Sequence, residues 1–141
     1  MFRHRITHFE QEVVTIHPGE YFATKDETII STVLGSCIAV ALYDPVSQAG
    51  GLNHFMLPGE IAPDELVRDP NAKYGMWAME LLINELMKLG VRRRDLKAKV
   101  FGGGAVLRFL DGSVSRIPQS NIDFAFEYLE KEGIPILASD V

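Results

Sequence analysis

The chain has a single cysteine in 141 residues. A lone thiol cannot staple a fold, which excludes a disulfide scaffold and suits a reducing, cytoplasmic setting. The four histidines (His4, His8, His17 and His54) and Cys37 show none of the familiar zinc-ligand spacings, so no metal is expected. No apolar run approaches the ~18 residues of a membrane span, so no membrane insertion is expected. The N-terminus MFRHRITHFEQEVV lacks the apolar stretch of a signal peptide. Basic charge is in deficit as well. Fourteen Lys+Arg against 19 Asp+Glu give a net charge of −5, which does not suit a general nucleic-acid binder. The one basic run, Arg92-Arg93-Arg94, leads into Asp95 and reads as a solvated loop. Gly102-Gly103-Gly104 is not followed by the Gly-Lys-Ser/Thr of a phosphate loop and forms no GxGxxG, so no nucleotide cofactor is expected.

What is present is ordinary for one globular domain: 47% hydrophobic and 23% charged residues, in a length that supports one core. Residues 1–17 read as an N-terminal arm, its first dozen residues polar and loose, and 18–141 as a single domain. β-branched runs predict strands over 28–34, 37–43, 51–57 and 96–101, with a terminal strand in IPILAS. Asp69-Pro70 can start a helix that Gly90 ends, its regular part delayed by Gly75. A second helix is expected over about 118–132. Strands and helices mix without strict alternation. The expected class is therefore α+β, a largely antiparallel or mixed sheet with helices packed outside.

The lone thiol has a particular setting, in TVLGSCIAVALYDP. Cys37 follows Gly35-Ser36 at a strand-to-strand junction, where glycine permits a sharp turn and close approach of a ligand. Amides of Gly35, Ser36 and Cys37 around such a turn can converge on a developing oxyanion. A nucleophilic thiol also needs a base, and His54 is the candidate. Asp44 and Pro45 suit the first two positions of a type I turn. A hairpin folded between Pro45 and Val46 pairs residues whose numbers sum to 91, and Cys37 and His54 meet that sum. Directly opposed residues have Cβ atoms roughly 4.5–5.5 Å apart, close enough for a thiol–imidazole contact. A buried inert cysteine and a satisfied structural histidine are the commoner occurrences, and on the residues alone both readings stand.

PGEYFATKDETIISTVLGSCIAVALYDP, GGLNHFMLP, KYGMWAMELLINELMKLG, AKVFGGG and NIDFAFEYLEKEGIPILASD together resemble CheD, the chemoreceptor glutamine deamidase family. The resemblance implies a cysteine hydrolase that converts glutamine side chains of chemotaxis receptors to glutamate. It implies a fold similar to the catalytic domain of the cytotoxic necrotizing factor toxins, and no cofactor. It places the nucleophile on Cys37, the histidine on His54, and a third residue, six places before the cysteine, on Ser31. Its implied partners are the receptors' cytoplasmic helices and CheC, a phosphatase of the response regulator. Two departures stand out. RIPQSN has Pro118 and Ser120 where the family has a glycine and a basic residue. The sequence also stops at ASDV, where relatives continue, so the family's C-terminal strands are expected to be missing. The rival reading is a chemotaxis binding or adaptor module with an idle site.

Overall fold

The computed structural model describes residues 1–4, 11–62, 64, 68–105 and 115–141. His8 and part of the expected arm lie outside them. Eight strands and two helices are described: β1 (Phe2–His4), β2 (Val13–Thr15), β3 (Tyr21–Thr24), β4 (Ile29–Ser31), β5 (Ile38–Asp44), β6 (Ala49–Asn53), α1 (Pro70–Lys88), β7 (Lys97–Gly102), α2 (Ile117–Lys131) and β8 (Ile136–Asp140). They build a three-stranded sheet, β1-β2-β4, and a five-stranded sheet, β3-β6-β5-β7-β8. The β2–β4 and β7–β8 pairs are parallel and the rest antiparallel. The class is α+β with mixed sheets, as the sequence predicts.

Alternation along β5 sends Val40 and Leu42 into the core and Tyr43 to solvent. Val40 and Leu42 meet Met79, Leu82 and Leu86 of α1 and Phe124, Ala125 and Leu129 of α2 in a single cluster. The Asp69 side chain caps α1 by accepting from the Asn71 N–H at 2.8 Å, a device worth about 1 kcal/mol. Gly75 does not delay this helix. It is there for contact, since a Cβ would lie 2.6 Å from the Phe124 ring and 2.9 Å from Leu57. Phe124 in turn meets Phe55 edge-on, with centroids 5.9 Å apart at 88°. Such a pair adds about 0.5–1.5 kcal/mol beyond buried area and pins α2 against the chain that follows β6.

Three expectations need correction. Residues 13–16 are not part of an arm outside the domain: Val13 and Val14 sit in a strand, and with Ile16 they are almost wholly buried. The strand is too short to stand out among polar neighbours. Nor is the 92–94 run merely solvated. Arg93 pairs with Glu80 of α1 and with Glu132 just beyond α2, both at 2.8 Å, tying the middle of α1 to the C-terminal end of α2. Tyr128 donates its hydroxyl proton to Glu80 in the same group. Finally, the β5–β6 hairpin pairs Asp44 with Ala49 and Leu42 with Gly51, so the numbers sum to 93. The Asp44 carboxylate accepts from the Ser47 hydroxyl at 2.6 Å and the Val46 N–H at 2.8 Å, and Gln48 takes a positive φ of 60°. These bonds stretch the turn to residues 45–48. A shift of two residues preserves the face of every side chain, so Cys37 and His54 become diagonal neighbours instead of opposed ones.

Candidate active site

The segment 32–37 carries the chain from the three-stranded sheet into the five-stranded one, and Cys37 stands at the end of this crossover. Just beyond it, Ile38 and Phe55 exchange backbone hydrogen bonds of 2.8 and 2.9 Å. Cys37 and His54 directly precede these two residues on antiparallel chains. Between Ala41↔Leu52 and this bridge the ladder is interrupted. There the Asn53 side chain accepts from the Val40 N–H at 2.9 Å, and the His54 backbone turns instead to Gly19 and Glu20.

The turn bearing Cys37 is held from behind. Gly104 N–H donates to Gly35 C=O at 2.9 Å and Gly103 N–H to Cys37 C=O at 2.8 Å. Asn121 Nδ2 donates to Ser36 C=O at 3.0 Å. The glycine triplet is thus a clamp on the turn. Gly102, at φ 106°, leaves 2.1 Å between a would-be Cβ and the Cys37 carbonyl oxygen, so only glycine fits. No peptide here is cis, and in a trans peptide the N–H points opposite to its C=O. The Gly35 and Ser36 carbonyls accept from Gly104 and Asn121, so the Ser36 and Cys37 N–H groups point away from those two partners. Neither meets an acceptor among the described residues.

His54 is 3% exposed. Its Nδ1 lies 2.7 Å from Thr32 Oγ1, and that hydroxyl also donates to Ile16 C=O at 2.8 Å. A carbonyl can only accept, so the one hydroxyl proton of Thr32 is committed to Ile16. Toward His54 the oxygen must accept. Nδ1 therefore carries the ring proton and Nε2 carries the lone pair. Nε2 is buried and has no hydrogen-bond partner among the described residues. Burial, with a smaller contribution from His17, holds the imidazole below its ordinary 6.5 and thus neutral at pH 7. Burial likewise pushes the half-buried Cys37 thiol up. No hydrogen bond joins Cys37 to His54, and the resting pair is neutral. The site pairs a neutral thiol with a diagonally placed neutral imidazole whose basic nitrogen meets no donor among the described residues.

Ser31 is not the residue on this imidazole. Its hydroxyl is 2.7 Å from Thr15 Oγ1, across the parallel β2–β4 pair. Successive side chains leave a strand on opposite sides, and here it is Thr32 that turns to His54. Sequence reasoning also passed over Asn121, whose signal was a polar residue on the same stripe as Phe124, Ala125 and Tyr128. Pro118 occupies the first turn of α2, where a missing N–H costs little, and the Ser120 hydroxyl accepts from the Ile61 N–H at 3.2 Å. Among the described residues no group of three His, Cys, Asp or Glu side chains is placed to hold a metal ion. No described helix is long and apolar enough to cross a membrane.

The family profile described as CheD chemotactic sensory transduction matches residues 56–141. A probable chemoreceptor glutamine deamidase CheD 1 of Shewanella oneidensis is 54% identical over 134 residues, covering 95% of this chain and 64% of the relative. The probable chemoreceptor glutamine deamidase CheD of Laribacter hongkongensis is 47% identical, over 94% of this chain and 64% of its own length. A CheD 1 of Albidiferax ferrireducens is 44% identical, over 99% and 57%. The chain thus spans about three-fifths of the length of these relatives. With more than half of its length matched by the profile, and identity of this degree along nearly all of it, the chain belongs to the CheD family.

Proposed function

We propose that this chain is a cytoplasmic, cysteine-dependent protein-glutamine deamidase that converts glutamine side chains of chemoreceptors to glutamate. The observation that carries the reading is the His54 tautomer, which leaves a basic Nε2 unpartnered near a thiol whose turn presents two unbonded amides. The relatives' names supply the substrate class. Cys37 gives its proton to His54 Nε2 as sulfur attacks the carboxamide carbon. The N–H groups of Ser36 and Cys37 hold the oxyanion. The C–N bond then breaks, His54 returns the proton to nitrogen, and ammonia leaves a thioester. Water, deprotonated by His54, attacks that thioester. Cleavage of the C–S bond releases glutamate and restores the thiol.

Val33 is 87% exposed just before the turn, and Met56, beside Ser36, is 43% exposed. Such an apolar rim suits one projecting side chain on a helical surface. Binding of a CheC-type phosphatase belongs to the same proposal and rests on the family resemblance alone. The test is mass spectrometry of a folded receptor cytoplasmic fragment, with a gain of ~1 Da expected per converted glutamine, and little turnover of free glutamine. No gain with wild-type protein whose Cys37 still reacts with iodoacetamide would leave the site idle and favour the adaptor reading.

The orienting role falls to Thr32. Thr32→Val is expected to lower kcat about 10- to 100-fold, less than the ~10⁴ seen when a charged orienting residue loses its acceptor, because a hydroxyl is neutral. Thr32→Ser should stay within about threefold of wild type, and so should Ser31→Ala, whose hydroxyl serves Thr15. Kinetics of the three variants check this. A larger defect in Ser31→Ala than in Thr32→Val would return the role to Ser31.

A further inference from the structure

Asn121 is fully buried, and both ends of its amide are used. Nδ2 donates to Ser36 C=O at 3.0 Å, and Oδ1 accepts from the Leu57 N–H at 2.9 Å. One end therefore grips the nucleophile's turn. The other grips the strand extension that carries His54, three residues upstream of Leu57. No other described side chain bonds to both arms of the site. The remaining two carbonyls of the turn are held by backbone N–H groups of Gly103 and Gly104, which a side-chain substitution leaves in place. The Ser36 carbonyl belongs to the same peptide as the Cys37 N–H. Its direction thus fixes where that N–H points.

We infer that Asn121 is a positioning residue for acyl transfer: by holding the Ser36 carbonyl it aims the Cys37 N–H at the oxyanion. This inference rests on the deamidase reading for its substrate, but its chemistry can be read without a receptor. Removing the amide frees the Ser36–Cys37 peptide to rotate. That costs a donor to the tetrahedral intermediate and leaves the thiol itself in place. Alkylation by iodoacetamide displaces iodide at a saturated carbon, develops no oxyanion and does not need that donor.

The experiment compares Cys37 acylation by p-nitrophenyl acetate, read as a nitrophenolate burst, with the limiting alkylation rate at high pH. Wild type, Asn121→Ala and Asn121→Asp are measured in parallel with receptor deamidation. For Asn121→Ala the burst rate and kcat are expected to fall about 10²–10³-fold, the usual loss for one oxyanion donor, with KM and limiting alkylation little changed. Asn121→Asp is nearly isosteric. When protonated, its carboxyl can donate to Ser36 C=O and accept from Leu57 N–H, and burial together with those bonds favours that neutral form. Its burst rate relative to wild type should therefore fall as pH rises and the carboxyl ionises, a signature that packing alone does not produce. If Asn121→Ala does not fold, that pH-dependent ratio decides. A burst in Asn121→Ala within threefold of wild type, alkylation falling in step with the burst, or a pH-independent ratio for Asn121→Asp would overturn the inference. A wild-type burst without deamidation would sink the substrate reading alone. A wild-type thiol that alkylates but gives no burst would remove the oxyanion role and this inference together.

Discussion

Cys37→Ala is expected to abolish deamidation of a receptor fragment, with a loss on the order of 10⁶-fold, the scale found when a covalent nucleophile is removed. The size follows from the chemistry: without sulfur there is no thioester, and His54 alone would have to drive water onto a resonance-stabilised amide. The fold should survive. Cys37 is only half-buried, and the bonds that hold its turn, Gly103 N–H to Cys37 C=O and Gly104 N–H to Gly35 C=O, do not involve its side chain. A change below about 1 kcal/mol is expected, visible as a small shift in thermal midpoint. Intact-mass analysis after prolonged incubation, alongside a melting curve, checks both parts. Wild-type turnover by a well-folded variant would rule out the thioester route.

The second large effect concerns His54. His54→Ala should lower kcat about 10²–10⁴-fold, the range for losing a positioned general base and acid. The same substitution should leave the alkylation profile of Cys37 nearly unchanged. A thiolate–imidazolium pair predicts the opposite, a thiol made slower to alkylate near neutral pH when its partner is lost. Here burial alone raises the thiol, and no bond links the two groups at rest. The pH dependence has a definite sign. The active imidazole is the neutral one, and burial favours that form, so the acidic limb of kcat/KM should have its midpoint below 6.5. The linked stability runs the same way. As pH falls through 6.5 the unfolded chain binds a proton that the folded chain refuses. Stability from this group is lost there, and the loss levels off below the folded pKa. An acidic limb above 6.5, or alkylation slowed strongly by His54→Ala, would require a thiolate–imidazolium pair instead.

The shared face of Cys37 and His54 was legible because the expected register was off by two residues, an even slip that keeps every side chain on its side of the sheet. Register itself depended on the Asp44 side chain and on the positive φ of Gln48, and residue types do not announce either. Alternation stated that Ser31 and Thr32 diverge. It could not state which one faces the imidazole, since that depends on where β2 lies, and β2 is three residues long. The helices were legible at both ends, from Asp69-Pro70 to the glycines past their last turns. In the sequence the glycine triplet shows only what it lacks, a phosphate-loop or dinucleotide pattern. Its role as a clamp required knowing that β7 runs beside β5 and delivers Gly102 opposite Ile38.

The brace on the nucleophile's turn also has a consequence in time. Ser36 and Asn121 are 85 positions apart, and every described group that fixes the turn's carbonyls comes from Gly103 or later. At synthesis rates of about 5–20 residues per second, roughly 4–17 s separate the emergence of Cys37 from that of Asn121. During that interval the nascent chain already holds the thiol, the imidazole and the hairpin that brings them near, but not the parts that aim the amides. Acyl-transfer competence is therefore expected only once α2 has docked. A ribosome-bound chain halted before residue 103 should carry a cysteine that alkylates but does not acylate.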